Sequence, residues 1–208
     1  MIKRYKTALI TGAANGIGSS ILKKLSDYKF KIYALDKDKK KLKTICNKTG
    51  AFPLNIDITN IDLLYSKLSK LDVDILINNA GIGNGIEGLL KSSKGDILKS
   101  TRVNYESILH ILKILVPKMV KKRNGHIFLI GSIAGLYPTD SAIYSSQKTA
   151  IHKIAQSLRI ELSGSRVKLT EITPGRTKTS FANKIFSSNK KKKEFTNSFQ
   201  VLDPEDIS

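Results

Sequence analysis

The sequence predicts an α/β protein built on a doubly wound, parallel sheet with helices packed on both faces. Three observations predict it. Short β-branched runs alternate with longer amphipathic ones along most of the 208 residues, the pattern of parallel strands joined by crossover helices. The first such run leads directly into a glycine-rich turn, Thr11-Gly12-Ala13-Ala14-Asn15-Gly16-Ile17-Gly18, where a helical pattern opens. An acid, Asp36, stands at the end of the second run, 18 residues past Gly18.

Taken in order, the first strand is expected over Lys6–Ile10 and the first helix over Gly16–Asp27, opened by the glycine turn. A second strand, Lys31–Leu35, ends at Asp36 and is followed by a lysine-rich helix, Lys37–Lys48. Strand Ala51–Asn55, helix Asn60–Ser69 and strand Val73–Asn78 follow at short intervals. One long helix, Gly95–Val120, then precedes strand His126–Gly131, helix Ser141–Leu162 and strand Lys168–Thr173. Right-handed crossovers are expected for this βα alternation. After Pro174 the chain turns polar and lysine-rich, notably at Lys190 to Lys193, with Phe181, Phe186, Phe195 and Phe199 interspersed. We read 1–208 as a single domain in which 176–203 forms a partly helical flap over the substrate.

Composition narrows the partners. The formal charge of +19 raises nucleic acid as a ligand, because clustered cations neutralise phosphates. Only six of the basic residues are arginines, however, and the 30 lysines are scattered along the chain. Phosphate and base readers lean on bidentate arginine, so solvated faces are the better reading and no nucleic acid is expected. A lone cysteine, Cys46, permits no internal disulfide, and no Cys/His spacing suggests zinc. No metal is expected, and a reducing, cytoplasmic setting is. The apolar run Thr7 to Ile10 is too short for a signal peptide, and nothing approaches the roughly 20 apolar residues that span a bilayer.

Glycines at 12, 16 and 18 would allow a tight turn, close approach of backbone amides to a pyrophosphate, and close packing of helix on strand. Asp36 is placed to accept bonds from an adenosine ribose, which favours NAD over NADP because a carboxylate repels a 2′-phosphate. A helix cap is its plainer role, and Lys37 and Lys39 could offset a phosphate charge. Asp57, just past the third strand, could accept from an adenine amino group or cap a helix.

Tyr144 and Lys148 lie four apart, on one helix face with roughly 6 Å of rise between them. The ammonium there would favour the phenolate, lowering the tyrosine pKa from about 10 and suiting it to acid/base work. Tyr33 and Lys37 share the spacing but fall in a strand, where it does not bring side chains together. Ser132, at the carboxyl end of the fifth strand, could bond a substrate oxygen while Tyr144 moves the proton. His110, His126 and His152 lack metal-ligand spacing and read as structural.

Together Thr11 to Gly18, Asn78-Asn79-Ala80-Gly81, Asn104, Ser132, Tyr144, Lys148 and Pro174-Gly175 resemble the short-chain dehydrogenase/reductase family, in its order and over nearly the whole chain. The resemblance implies a Rossmann-like fold and hydride transfer between a nicotinamide and a small hydroxy acid, alcohol or ketone. It implies a catalytic set of Asn104, Ser132, Tyr144 and Lys148, in which Tyr144 is the acid/base, Lys148 holds the nicotinamide ribose, Ser132 positions the substrate oxygen and Asn104 anchors a relay water. It implies a cofactor-binding set of Gly12, Asn15, Gly16, Ile17, Gly18, Asp36, Asp57, Asn79, Ala80, Gly81, Tyr144, Lys148, Pro174, Gly175 and Thr179, with NAD expected and NADP the alternative. Within the family the stretches Gly81 to Glu87, Asn124 to Gly135, Leu158 to Gly175 and Leu202 to Ser208 look most like bacterial 3-hydroxy acid (serine) dehydrogenases. That subgroup usually takes NADP, from which Asp36 departs; a 3-oxoacyl-carrier-protein reductase-like or polyol enzyme is the competing subgroup. Arg176 could meet a substrate carboxylate, a solvated arginine being the plainer reading.

Family members continue past Pro204-Glu205-Asp206-Ile207 into another helix and a seventh strand. The resemblance therefore implies about six strands here, a sixth strand left as a sheet edge, and reduced stability. A shortened, catalytically weak nucleotide-binding protein is the alternative function. The two long helices that form the family's dimer face are intact, so a homodimer is expected.

Overall fold

The structure, a computed structural model, describes residues 4–179, 181 and 201–208. Its centre is a six-stranded sheet in the order β3-β2-β1-β4-β5-β6, all pairs parallel. The strands are β1 (Thr7–Thr11), β2 (Lys31–Asp36), β3 (Phe52–Asn55), β4 (Ile75–Asn78), β5 (Gly125–Ile130) and β6 (Val167–Ile172). The order reverses between β1 and β4, the switch point where open α/β sheets place ligands beyond the strands' carboxyl ends.

Local chemistry explains where the helices start and stop. Helix α1 (Gly16–Ser26) carries Lys23 and Lys24 in its last turn, where cations favour the helix dipole. Asp38, not Asp36, caps α2 (Lys39–Thr49) by accepting from the Lys41 amide, and Gly50 ends it with φ +70°. The lysine-rich helix therefore begins two residues later than the sequence suggests. Asn60 caps α3 (Ile61–Leu68), and Ser93 and Asp96 close a capping box on α4 (Lys94–Thr101). The long helix expected over Gly95–Val120 is three pieces: α4, a π turn at Arg102–Glu106, and α5 (Ser107–Lys121). Helix α6 (Ala142–Glu161) follows β5.

Two apolar layers sandwich the sheet. On one side Leu9, Leu35, Leu76, Ile127 and Leu129 pack with Leu64, Ile111, Leu115, Met119, Ile151 and Ala155 from α3, α5 and α6. On the other, Ala8, Ile10, Ile32, Ala34 and Ile77 meet Ile21, Leu22, Leu42 and Ile45 from α1 and α2. Pro53 lies in β3, an edge strand, where a missing amide costs the ladder least. Among the described residues β6 forms the opposite edge. Past β6, Thr177 bridges Leu202, and the short turn Pro204–Asp206 closes on α1, with Ser20 Oγ 3.3 Å from Glu205 Oε1. Most of the flap expected over 176–203, including Phe186, Lys190 to Lys193, Phe195 and Phe199, lies outside the described residues.

Candidate active site

The carboxyl ends of β1, β4, β5 and β6 meet around a glycine-built turn. Gly12 and Gly16 adopt φ +66° and +52°, which side chains resist, and a Cβ on Gly18 would stand 2.2 Å from the Gly12 carbonyl oxygen. These glycines let α1 start close against β1. Asn15, the residue before α1, makes no capping bond with its side chain, and no acid sits in the first turn. Asn15 Oδ1 instead takes Lys41 Nζ at 3.2 Å. The amides of an 11-residue helix thus begin without side-chain competition at a point suited to an anion.

The end of β4 is laced onto this turn. The Asn79 side-chain amide donates to the Thr11 and Gly12 carbonyls at 2.9 and 3.2 Å, and the Asn79 and Ala80 amides donate to Thr11 Oγ1 at 3.0 Å each. Asp36, at the tip of β2, accepts from the Ala14 amide at 3.0 Å and the Asp38 amide at 2.9 Å. Its carboxylate is held beside the turn and does not cap α2. Asp57 accepts from the Thr59 amide and hydroxyl and pairs with Lys37 at 3.7 Å. Burial raises its pKa, but the bonds from Thr59 and the Lys37 charge outweigh that and hold it below the usual carboxylate range. Lys37 is thereby turned toward Asp57. Thr179 lies over the turn, its methyl 2.9 Å from where a Gly16 Cβ would be, and the Pro174 carbonyl accepts from the Ile133 amide at 3.1 Å.

On the β5–α6 side, Ser132 opens a tight turn at Ile133–Gly135, which packs so closely on α6 that a Cβ on Gly135 would fall 2.6 Å from the Lys148 carbonyl oxygen. That contact brings Ser132 to Tyr144. Tyr144 keeps part of its surface exposed, but its hydroxyl lies deep. Burial pushes its pKa up to about 12, with a hydrogen bond from Ser132 pulling the other way. Lys148 is buried, donates Nζ to the Ile130 carbonyl at 2.9 Å, and stands 5.7 Å from the centre of the Tyr144 ring. Burial pulls its pKa down to about 8, opposed by the Glu171 charge. The lowered tyrosine pKa expected from the four-residue spacing is therefore absent: desolvation dominates both groups, and the lysine is spent on a backbone carbonyl. The Phe181 ring, 5.9 Å from that of Tyr144, adds to the apolar surroundings.

Asn104 projects from the π turn. Its Oδ1 accepts from the Ile82 amide and its Nδ2 donates to the Ile82 carbonyl and to Gln147 Oε1, each at 2.8 Å. Both amide protons are committed, so the side chain braces the Gly81–Ile82 segment against α6. A Cβ on Gly81 would lie 3.4 Å from Asn104 Oδ1 and 4.0 Å from Lys148 Nζ.

This arrangement can bind a dinucleotide along the turn and move a proton at one hydroxyl. Comparison with known proteins agrees. The family model for short chain dehydrogenases matches residues 6–190. The chain belongs to the short-chain dehydrogenase family. An uncharacterised short-chain type dehydrogenase/reductase of Sinorhizobium fredii is 30% identical over 208 residues, covering 100% of this chain and 84% of that one. An NADP-dependent 3-hydroxy acid dehydrogenase of Escherichia coli is 30% identical over 210 residues, covering 96% of this chain and 85% of its own. A closed serine dehydrogenase solved with NADP+ superposes with TM-score 0.91 at 28% identity, over 97% of this chain and 85% of that one.

Of the residues expected to serve this short-chain dehydrogenase, Ser132, Tyr144, Lys148, Asn104 and Gly81 converge, and Gly12 to Gly18, Asp36, Asn79, Ala80 and Thr179 surround the turn. Asp57 is drawn toward Lys37. No group of His, Cys, Asp and Glu that could hold a metal occurs among the described residues, and no described helix is long and apolar enough to cross a membrane. Sequence reasoning missed Gln147, which joins Asn104 to Ser100, and Glu171, an acid inside β6 that binds His152. An acid within a β-branched run was the available signal for the second.

Proposed function

We propose that this short-chain dehydrogenase oxidises a small hydroxy acid or alcohol, or reduces the matching ketone, at the Tyr144 hydroxyl. The observation that carries the reading is the convergence of Ser132, Tyr144 and Lys148 beside a glycine cradle that a side chain would fill. The cradle's fit to a pyrophosphate rests on its open helix terminus. A nicotinamide dinucleotide, when bound, supplies the hydride acceptor or donor.

The chain's own residues do the remaining work. The amides that open α1 would hold the pyrophosphate, and Asp36 would accept from the adenosine ribose. Pro174, Gly175 and Thr179 would border the nicotinamide end. Ser132 donates to the substrate oxygen while Tyr144 gives or takes the proton there. Lys148 offers a cation beside the phenol and would hold the nicotinamide ribose, and Asn104 keeps Gly81 and Ile82 in register with α6. Two relatives are named for NADP, but the carboxylate of Asp36 and the turning of Lys37 toward Asp57 support NAD as the preferred form, with NADP the weaker alternative. The lone buried thiol of Cys46 supports a cytoplasmic setting, and the half-exposed Ile97, Leu98, Tyr105 and Leu109 along α4, the π turn and α5 support a homodimer through the long helices.

The test is nicotinamide absorbance with serine and 3-hydroxybutyrate, offering NAD and NADP separately to wild type and Tyr144→Phe. Turnover that falls at least ~100-fold in the variant while dinucleotide binding persists is expected; equal turnover in both overturns the role of Tyr144.

A further inference from the structure

Behind Tyr144 and Lys148 lies a carboxylate that the reaction as read above does not use. Glu171 sits in β6 with its side chain 6% exposed, and its Oε2 meets His152 Nδ1 at 2.7 Å. The other oxygen, Oε1, is buried without a hydrogen-bond partner. A buried acceptor left unpaired is destabilising, more so when charged, so its presence calls for an explanation.

Neighbouring backbone supplies one. A Cβ on Gly131 would stand 2.7 Å from Oε1, so the carboxylate fills the room this glycine leaves. The preceding residue, Ile130, gives its carbonyl to Lys148 Nζ at 2.9 Å. Carboxylate and ammonium thus approach consecutive residues at the carboxyl end of β5, Gly131 and Ile130. Along α6, Tyr144, Lys148, His152 and Gln156 follow at steps of four and form one row. Gln156 Nε2 lies 3.0 Å from His152 Nε2. A neutral imidazole satisfies both contacts, giving its Nδ1 proton to Glu171 and accepting from Gln156 at Nε2.

We propose that Glu171 is a positioning residue for Lys148: it supplies the buried negative charge that keeps the lysine protonated beside Tyr144, and His152 holds the carboxylate in place. The proposal rests on reading Tyr144 and Lys148 as the acid/base pair. Burial drives Lys148 toward its neutral form and the Glu171 charge opposes this; without it, the amine has, among the described residues, the dipole of the Ile130 carbonyl. Among the described residues, helix α6 also carries the exposed Arg159, whose Nε reaches the Leu169 carbonyl of β6 at 3.4 Å. Strand β5 pairs Leu129 with Glu171, Gly131 just past the strand lies against its carboxylate, and the π turn presents the neutral Asn104, tied to Gln147.

The test follows the Lys148 side-chain signal by NMR in chain carrying isotope-labelled lysine, without cofactor, assigned by its loss in Lys148→Met. The titration midpoint is expected to fall by about one pH unit or more in Glu171→Gln and to stay near the wild-type value in Glu171→Asp. Should Glu171→Gln not fold, Glu171→Met, which removes the charge and the unpaired oxygen together, carries the same expectation. An unmoved midpoint in the folded variant overturns the proposal. The readout needs no substrate, so absent turnover on hydroxy acids would strike the proposed reaction and leave this result standing. Where turnover is present, the alkaline limb of kcat/KM moves to lower pH in Glu171→Gln by the same amount.

Discussion

At Lys148 and Tyr144 the fold works against charge, and the consequence is measurable as stability. Lys148 titrates near 8 in the folded chain against an ordinary 10.5. Between those values the unfolded chain holds more protons at this residue, so folding becomes more favourable as pH rises through the window, by on the order of 3 kcal/mol at most. Tyr144 does the reverse: from pH 10 to about 12 the folded chain keeps a proton that the unfolded chain loses, so stability falls as pH rises there. Denaturant melts of wild type and Lys148→Met across pH 8 to 10.5 are expected to diverge in slope; parallel curves would show that the lysine is not desolvated. Asp36 carries a separate expectation. Replacing it with alanine frees the Ala14 and Asp38 amides and removes the charge that opposes a 2′-phosphate. The ratio of NAD to NADP affinity is expected to fall by about tenfold or more in Asp36→Ala, read by fluorescence titration of the reduced cofactors.

Among elements, the short turn Ile133–Gly135 joins β5 to the site. Gly135→Ala would press a methyl into the Lys148 and Thr149 backbone, which no rotamer change relieves. A loss of roughly 1–3 kcal/mol in thermal melts is expected, together with a lower kcat as Ser132 moves from Tyr144; a wild-type melt would mean that the turn rides freely on α6. The sheet was legible in the sequence because strands and helices differ in period: all six strands lie within two residues of where the alternation places them. What periodicity does not carry is a change of helical pitch, so Gly95–Val120 reads as one helix although Asn104 sits in a wider turn. Likewise the spacing of Tyr144 and Lys148 identifies the pair, but their pKa values depend on depth, on Ile130 and on Glu171, which spacing does not encode. The start of α2 was misplaced because Asp36 and Asp38 are both plausible caps, and only backbone geometry selects Asp38.

For the whole molecule, the proposed dimer and the charge of +19 oppose each other. Like charge on two copies disfavours association unless salt screens it. Sedimentation is expected to show a dimer that tightens with added salt, and a folded monomer for the double variant Leu98→Glu, Leu109→Glu, since both side chains are exposed in the single chain. A monomer at every salt concentration would leave the exposed α4 and α5 face without this role. The π turn at Arg102–Glu106 bears on the same molecule in another way, through its tolerance of altered chain length. A π turn holds one residue more than the α turn it replaces. Deleting a residue there would let the helix close to regular pitch with the buried face of α5 kept in register, whereas adding one would rotate everything downstream by about 100°, turning that face toward water. Loops such as 82–93 can absorb insertions; this stretch of continuous helix is expected to tolerate the loss of one residue far better than a gain, and single-residue insertions within it should accumulate as insoluble protein while the single deletion stays soluble.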